Sequence, residues 1–312
     1  MFHIEIRSLS RSRGANAVAS AAYISRGKLR DEHQQRTYDY RRRGGLVHDE
    51  ILTPQRAAGH SQAPVPERSA LWNQAERAER YRNSRVAREY EFALPHELNG
   101  TDRVALARRF AQEIANRYGS AVDLAVHNPP PGGDPRNVHA HVLATTREYH
   151  AEGLGKKTTM ELSGTARAAL GLPNHRIEYK QVRARWAEVA NEALRERGFE
   201  ANLDSRTLAE QGINRRPQSH RGAAVNGIMR RGGHSYVAER MQAEQAAILE
   251  QERAKERNQP SASLDSRRRK ALESWRSYRE QGRSAEEEAR REREAPDRGY
   301  EPGRSRQRDY ER

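Results

Sequence analysis

Three histidines carry the sharpest chemical signal in this chain: His127, and the pair in Asn137-Val138-His139-Ala140-His141-Val142. In an extended strand, residues i and i+2 share a face and lie about 6.5–7 Å apart. His139 and His141 therefore project together, while Val138, Ala140 and Val142 project the other way. One strand earlier, Val122, Leu124 and Val126 alternate with Asp123, Ala125 and His127. If the two strands pair across the Pro/Gly-rich segment between them, three imidazoles meet on one sheet face. That is a metal site with open coordination positions, built without cysteine. Nitrogen ligands suit Mn, Zn, Ni or Co, and a phosphate oxygen in the sphere brings in Mn2+ or Mg2+. A His-x-His pair alone is more often a solvated strand face. A third, correctly phased imidazole shifts the balance towards a ligand set.

Two carboxylates and a phenol belong to the same inventory. Glu89 and Glu91 share the polar face of a strand over Val86 to Leu94, opposite Tyr90, Phe92 and Leu94. Either could accept the second N–H of a ligand histidine and fix its tautomer. Taken alone, each is equally a solvated strand carboxylate. Tyr23 closes an Ala-rich helical stretch, Ala15 to Ser25, with Gly27 at the capping position. It is one of 12 tyrosines, and packing is the ordinary role for such a ring. A free phenol is only ~0.1% ionised at pH 7, so it attacks phosphorus only with a metal and a base beside it.

These residues need a scaffold, and the hydrophobic pattern supplies one. Strands are expected over residues 2–7, 46–52, 86–94, 122–127 and 138–146. Helices are expected at 15–25, 69–80, 101–118 and 177–197, and the charged stretch 28–45 reads as loop. The order implies an α+β fold: a central antiparallel sheet with helices on one face. After about residue 235, Glu, Gln, Arg and Ala dominate, as in a charged helix fading into disorder, with coiled-coil tendency over 236–258. That change separates a folded N-terminal part from a charged tail.

Composition narrows the partner. Formal net charge is +14, and of 57 basic residues 51 are Arg. The guanidinium fork matches phosphate, so a polyanion is the expected ligand. Arg11, Arg13, Arg26, Arg41, Arg42 and Arg43 lie near Tyr23 in sequence and are candidates for a phosphate track. The absence of cysteine excludes disulfides and Cys-ligated metal. No apolar run approaches a membrane span, and no secretory signal is evident.

The motifs together resemble the MobA/MobL relaxases, the MobQ-type group of HUH (His-hydrophobic-His) single-strand DNA endonucleases. The resemblance is carried by Ala22-Tyr23-Ile24, Glu89-Tyr90-Glu91-Phe92-Ala93-Leu94-Pro95, Ala125-Val126-His127, the 137–142 stretch, and Leu203 to Leu208 followed by Glu210-Gln211-Gly212-Ile213. It covers about residues 1–225 and leaves 226–312 as the tail. Ser205 departs from the pattern, standing where members often carry His, and the 128–137 loop has an unusual proline run.

What the resemblance implies is specific. Tyr23 is the nucleophile, Glu91 a catalytic carboxylate with Glu89 beside it, and His127, His139 and His141 hold Mn2+ or Mg2+. The reaction is nicking and rejoining of single-stranded DNA at a plasmid origin of transfer, through a 5′-phosphotyrosine intermediate. Tyr38 and Tyr40 lie along the charged loop, too far on to match the nucleophile motif, and a second tyrosine stays open as an alternative. Relaxosome accessory proteins and a type IV secretion coupling protein are the implied partners. The implied location is the bacterial cytoplasm, with export to the recipient. The competing readings are an HUH replication-initiation or transposition endonuclease, and a basic DNA-binding relaxosome protein without catalysis. The latter explains the charge but not three phased histidines.

Overall fold

The computed structural model describes residues 2–55, 63–213 and 232–258, with isolated positions at 225, 228, 269, 272–274 and 276. The chain divides into two units, Met1–Ile213 and Asn214–Arg312.

The first unit is built on an antiparallel sheet. Its strands are β1 (Ile4–Ser10), β4 (Leu46–Leu52), β5 (Arg85–Ala93), β6 (Ser120–His127) and β7 (His139–His150), in spatial order β1-β5-β7-β6-β4. A short strand, β8 (Gly153–Lys157), pairs with the far end of β7. The helices are α1 (Ala17–Ile24), α2 (Arg68–Ala78), α3 (Gly100–Tyr118), α4 (Gly164–Ala169) and α5 (His175–Glu196). In the second unit, α6 spans Tyr236–Asn258. That is the stretch expected to be helical; most of the tail beyond it lies outside the described residues.

Alternation along the central strands sorts their side chains onto two faces. On one face, Tyr90, Phe92, Val122, Leu124, Val126, Ala140 and Val142 pack against α3 and α5. Phe92, Phe110 and Trp186 form the centre, with ring centroids 4.4–5.1 Å apart. The α3 stripe of Leu106, Phe110 and Ile114 recurs at helical spacing, so this layer follows directly from the pattern.

The α+β sheet architecture is as expected, but the helices are not confined to one face. On the other face, α1 and α2 lie over part of the sheet. There Ala17, Val18, Ala21, Leu71, Trp72 and Ala75 meet Val86, Ala87, Ala121, Ala125 and Leu143. Small residues on both sides let the helices approach closely. They also leave no broad apolar stripe for the sequence to display. Asp123 is buried here and accepts Arg68 Nε and Trp72 Nε1, both at 2.9 Å.

The 28–45 stretch also differs from its expected loop. Residues Lys28–Asp31 (β2) and Arg36–Asp39 (β3) form an antiparallel hairpin. Its exposed positions carry charge, so no apolar alternation marks it. At its base, Tyr40 N–H donates to Gly27 O at 2.9 Å, which returns the chain to the C-terminal end of α1.

Candidate metal centre and nucleophile

The register of β6, β7 and β5 assembles the histidines. His127 stands directly across from His139, and His141 is flanked by Ala125 on one side and Glu91 on the other. All three rings project to the α1 face, with centroids 5.0–5.6 Å apart. One ligand nitrogen from each lies within 4.8 Å of the others. His127 and His141 are buried, and His139 is half-buried.

The hydrogen bonds around the rings select tautomers. His141 Nδ1 lies 2.8 Å from Glu89 Oε1, and His139 Nδ1 lies 3.1 Å from Asn137 O. Each acceptor calls for N–H at Nδ1 and leaves Nε2 with its lone pair. His127 is turned the other way: Nε2 bonds Ile24 O at 2.6 Å, leaving Nδ1 as the lone-pair nitrogen, with Arg26 Nη2 at 3.4 Å. Burial, the neighbouring His141 and Arg26 push His127 down to about pKa 3; burial also lowers His139. A metal ion needs neutral imidazoles, so this donor set fits a divalent cation.

Glu89, rather than Glu91, is the carboxylate that holds a histidine. It is buried between His141 and Arg7, whose Nε lies 2.8 Å away. Burial raises its pKa, but the His141 and Arg7 bonds outweigh that and bring it to about 2. Glu91 is half-buried, with Arg7 Nη2 at 3.3 Å and His141 Nδ1 at 4.0 Å. The two residues occupy the same strand face, so sequence alone could not rank them.

The end of α1 that bears Tyr23 is fixed against this cluster through Ile24. Asn16 caps the helix, its side chain accepting Ala19 N–H at 2.7 Å. At the other end, Ile24 O is the acceptor for His127. Arg26 follows with φ of 51°, a left-handed conformation that glycine adopts more readily. From there its guanidinium bonds Tyr23 O at 2.7 Å and lies 4.6 Å above the Tyr23 ring. Tyr23 itself is 36% exposed. Its ring is therefore accessible, while the backbone of the next residue, Ile24, is tied to the histidine face.

The arginine candidates scatter. Arg26 and Arg43 flank the Tyr23 ring, Arg43 at 5.2 Å. Arg42 is exposed, and Arg41 pairs with Asp39 at 2.7 Å. Arg11 departs from the expected track: its guanidinium turns inward onto the Glu76 carboxylate at 2.6 Å and braces the α2 end. Arg13 is exposed at the far end of α1. The downstream Leu203 segment packs on the α5 side and is not brought to the histidines.

Tyr40 is the residue that sequence reasoning set aside. The β2–β3 hairpin places its ring 5.4 Å from Tyr23, edge to face. Sequence distance was misleading because the hairpin folds the intervening charged residues out and back.

The MobA/MobL family model matches residues 15–231. "Mobilization protein MobL" of Acidithiobacillus ferridurans is 32% identical over 285 residues, covering 81% of this chain and 72% of that protein. "Conjugal transfer protein TraA" of Rhizobium radiobacter is 29% identical over 282 residues; the alignment covers 84% of this chain but spans only 25% of that protein. A solved structure described as "Molecular Basis of Vancomycin Resistance Transfer in Staphylococcus aureus" is 27% identical. It superposes with a TM-score of 0.55 over 66% of this chain and 99% of its own. With that match running through the α1 end, the acidic strand and the histidine pair alike, the chain belongs to the MobA/MobL family of mobilization relaxases.

Proposed function

We propose that residues 1–225 nick and rejoin single-stranded DNA at a plasmid origin of transfer, with Tyr23 as the nucleophile. The observation that carries this reading is the junction of α1 with the histidine cluster. There the backbone beside an exposed tyrosine is hydrogen-bonded to one of three clustered imidazoles. A divalent ion on His127, His139 and His141, Mn2+ or Mg2+, supplies Lewis-acid polarisation of the phosphoryl oxygens.

The chain's own residues account for the rest. The Tyr23 phenol oxygen attacks the scissile phosphorus, a P–O bond to tyrosine forms, and the P–O3′ bond breaks. The departing 3′ oxygen takes up a proton and becomes a hydroxyl. The 5′ end stays on the protein as a phosphotyrosine ester. The phenolic proton goes to a base, and Glu91, 4.0 Å from His141 Nδ1, is the carboxylate assigned to it. Glu89, held near pKa 2 by His141 and Arg7, is too weak a base for that task. Arg26 and Arg43 place two permanent cations beside the attacking oxygen's ring, where the strand's phosphates would lie. Rejoining is the reverse attack by a 3′-hydroxyl. The ester conserves the phosphodiester energy, so no ATP is consumed.

In this reading the protein acts in the bacterial cytoplasm and leaves with the strand. It works with relaxosome accessory proteins and a secretion coupling protein. No helix among the described residues is long and apolar enough to cross a membrane.

The test is adduct formation. Protein is incubated with Mn2+ or Mg2+ and labelled single-stranded oligonucleotides drawn from the plasmid around its gene, then run on a denaturing gel. A band retarded by covalent attachment, absent with EDTA and absent in Tyr23→Phe, is expected. A band of unchanged intensity in Tyr23→Phe contradicts the nucleophile assignment, and one indifferent to EDTA contradicts the metal.

A further inference from the structure

At the opposite end of the same sheet face lies a second basic region. His141 and Arg147 are six residues apart on β7, about 20 Å of strand. Around Arg147, a cavity of about 560 Å³ is lined by Glu79, Arg80, Tyr81, Arg85 and Lys157. Its floor is built rather than incidental. Glu79 is buried, and its Oε1 holds Arg147 Nε at 2.9 Å and Lys157 Nζ at 2.6 Å. One carboxylate shared by two cations leaves net positive charge, and Arg85 adds a third cation, paired with Glu161 at 3.1 Å. At the rim, Tyr81 is 75% exposed between Arg80 and Arg82, both exposed and neither ion-paired among the described residues.

A second, separate groove adjoins the nucleophile. A cavity of about 310 Å³ runs between edge strand β1 and α1, lined by Arg7, Leu9, Gly14, Ala19, Tyr23 and Tyr40. One end touches Tyr23. The other reaches the turn after β1, where Arg11 N–H bonds Ser84 O at 3.1 Å and Ser10 Oγ bonds Asn83 O at 3.2 Å. Those contacts join the turn bearing exposed Arg13 to the turn bearing Tyr81.

We infer that the Arg80-Tyr81-Arg82 turn and the adjoining Arg147/Lys157 cavity form a second single-stranded DNA contact surface, beside the turn at which the β1–α1 groove ends. This rests on the reading of the protein as a DNA-handling enzyme and extends it to a site remote from the chemistry. An exposed phenol ring with an exposed arginine next to it in sequence on either side is a stacking platform for a base, with cations at hand for the flanking phosphates. Membranes and acidic peptides share the charge preference. They have no use for a groove that begins at the nucleophile.

The experiment uses the full chain and oligo-dT of about 30 nucleotides, longer than the span of a single ~4–16-nucleotide site. Affinity is measured by fluorescence anisotropy across a salt series. Tyr81→Ala weakens binding about 10-fold, the loss of one stacked base. Arg80→Gln with Arg82→Gln lowers the slope of log affinity against log salt by about 1.4, from two released phosphate contacts. Tyr81→Trp retains affinity, and its indole emission is quenched on binding. Unchanged melting temperatures exclude misfolding, since all three side chains are exposed. Wild-type affinity and slope in both loss variants overturn the inference. Adduct formation by wild-type protein is scored separately, so failure of the nicking chemistry and failure of this surface are told apart.

Discussion

The two faces of the sheet are made by the same strands and do opposite work. Towards α3 and α5, alternate residues of β5, β6 and β7 are large and apolar, and the Phe92–Phe110–Trp186 cluster closes the layer. Towards α1 and α2, the intervening residues are Glu89, Glu91, Asp123, His127, His139 and His141 alongside alanines. Burying imidazoles and carboxylates is costly unless each finds a partner. Here the partners are specific: Ile24 O, Asn137 O, Glu89 and Arg7 for the histidine cluster, Arg68 and Trp72 for Asp123. One face supplies the apolar burial that keeps the strands in register. The other uses that register to hold chemistry.

If this division is right, substitutions on the two faces separate stability from function. The largest expected effect is on the polar face. His139→Ala combined with His141→Ala abolishes Mn2+ binding by isothermal titration and leaves the circular dichroism of the fold unchanged. Wild-type metal affinity in that variant breaks the assignment. On the apolar face, Trp186→Ala removes a fully buried ring and lowers unfolding free energy by about 3–5 kcal/mol in urea. Metal binding by the protein that stays folded is expected to persist. Glu89→Gln tests the support beneath the histidines. It weakens metal affinity by about 10–100-fold, because the His141 ring loses its charged orienting partner.

The smallest expected effect is on pH dependence, on the apolar side. Burial raises the Glu178 carboxyl, but bonds from Tyr118, Arg117 and Arg167 outweigh it and leave it below its ordinary 4.5. A carboxyl lowered in the folded state stabilises above its unfolded pKa, and that stability is lost as pH falls through the folded value. Glu178→Gln should therefore flatten the decline of stability below about pH 4.5, as read from urea midpoints. An unchanged acid limb places the sensitivity elsewhere.

Most of the scaffold and the central residues were legible in the sequence. Period-two alternation in 86–94, 122–127 and 138–146 marks the central strands and the phase of all three histidines. What escaped did so for physical reasons. The α1 and α2 layer packs largely through alanines, with few large residues such as Leu71 and Trp72 among them, so it prints no broad stripe. The β2–β3 hairpin turns only Leu29 and Tyr38 to the α1 and α2 layer and is otherwise mostly charged, so it looks like a loop. Arg11 reads as a free cation, and only the fold shows Glu76 beneath it. The roles of Glu89 and Glu91 depend on side-chain geometry within one face, which alternation cannot resolve.

Tyr40 is the sharpest of these cases, because it puts a second phenol 5.4 Å from the first. The most direct test of the whole account is to digest the covalent DNA–protein adduct and locate the attached nucleotide by mass spectrometry. The phosphodiester is predicted on the peptide containing Tyr23, with the peptide containing Tyr40 unmodified. Attachment at Tyr40, or at neither tyrosine, contradicts the assignment of Tyr23 as the nucleophile.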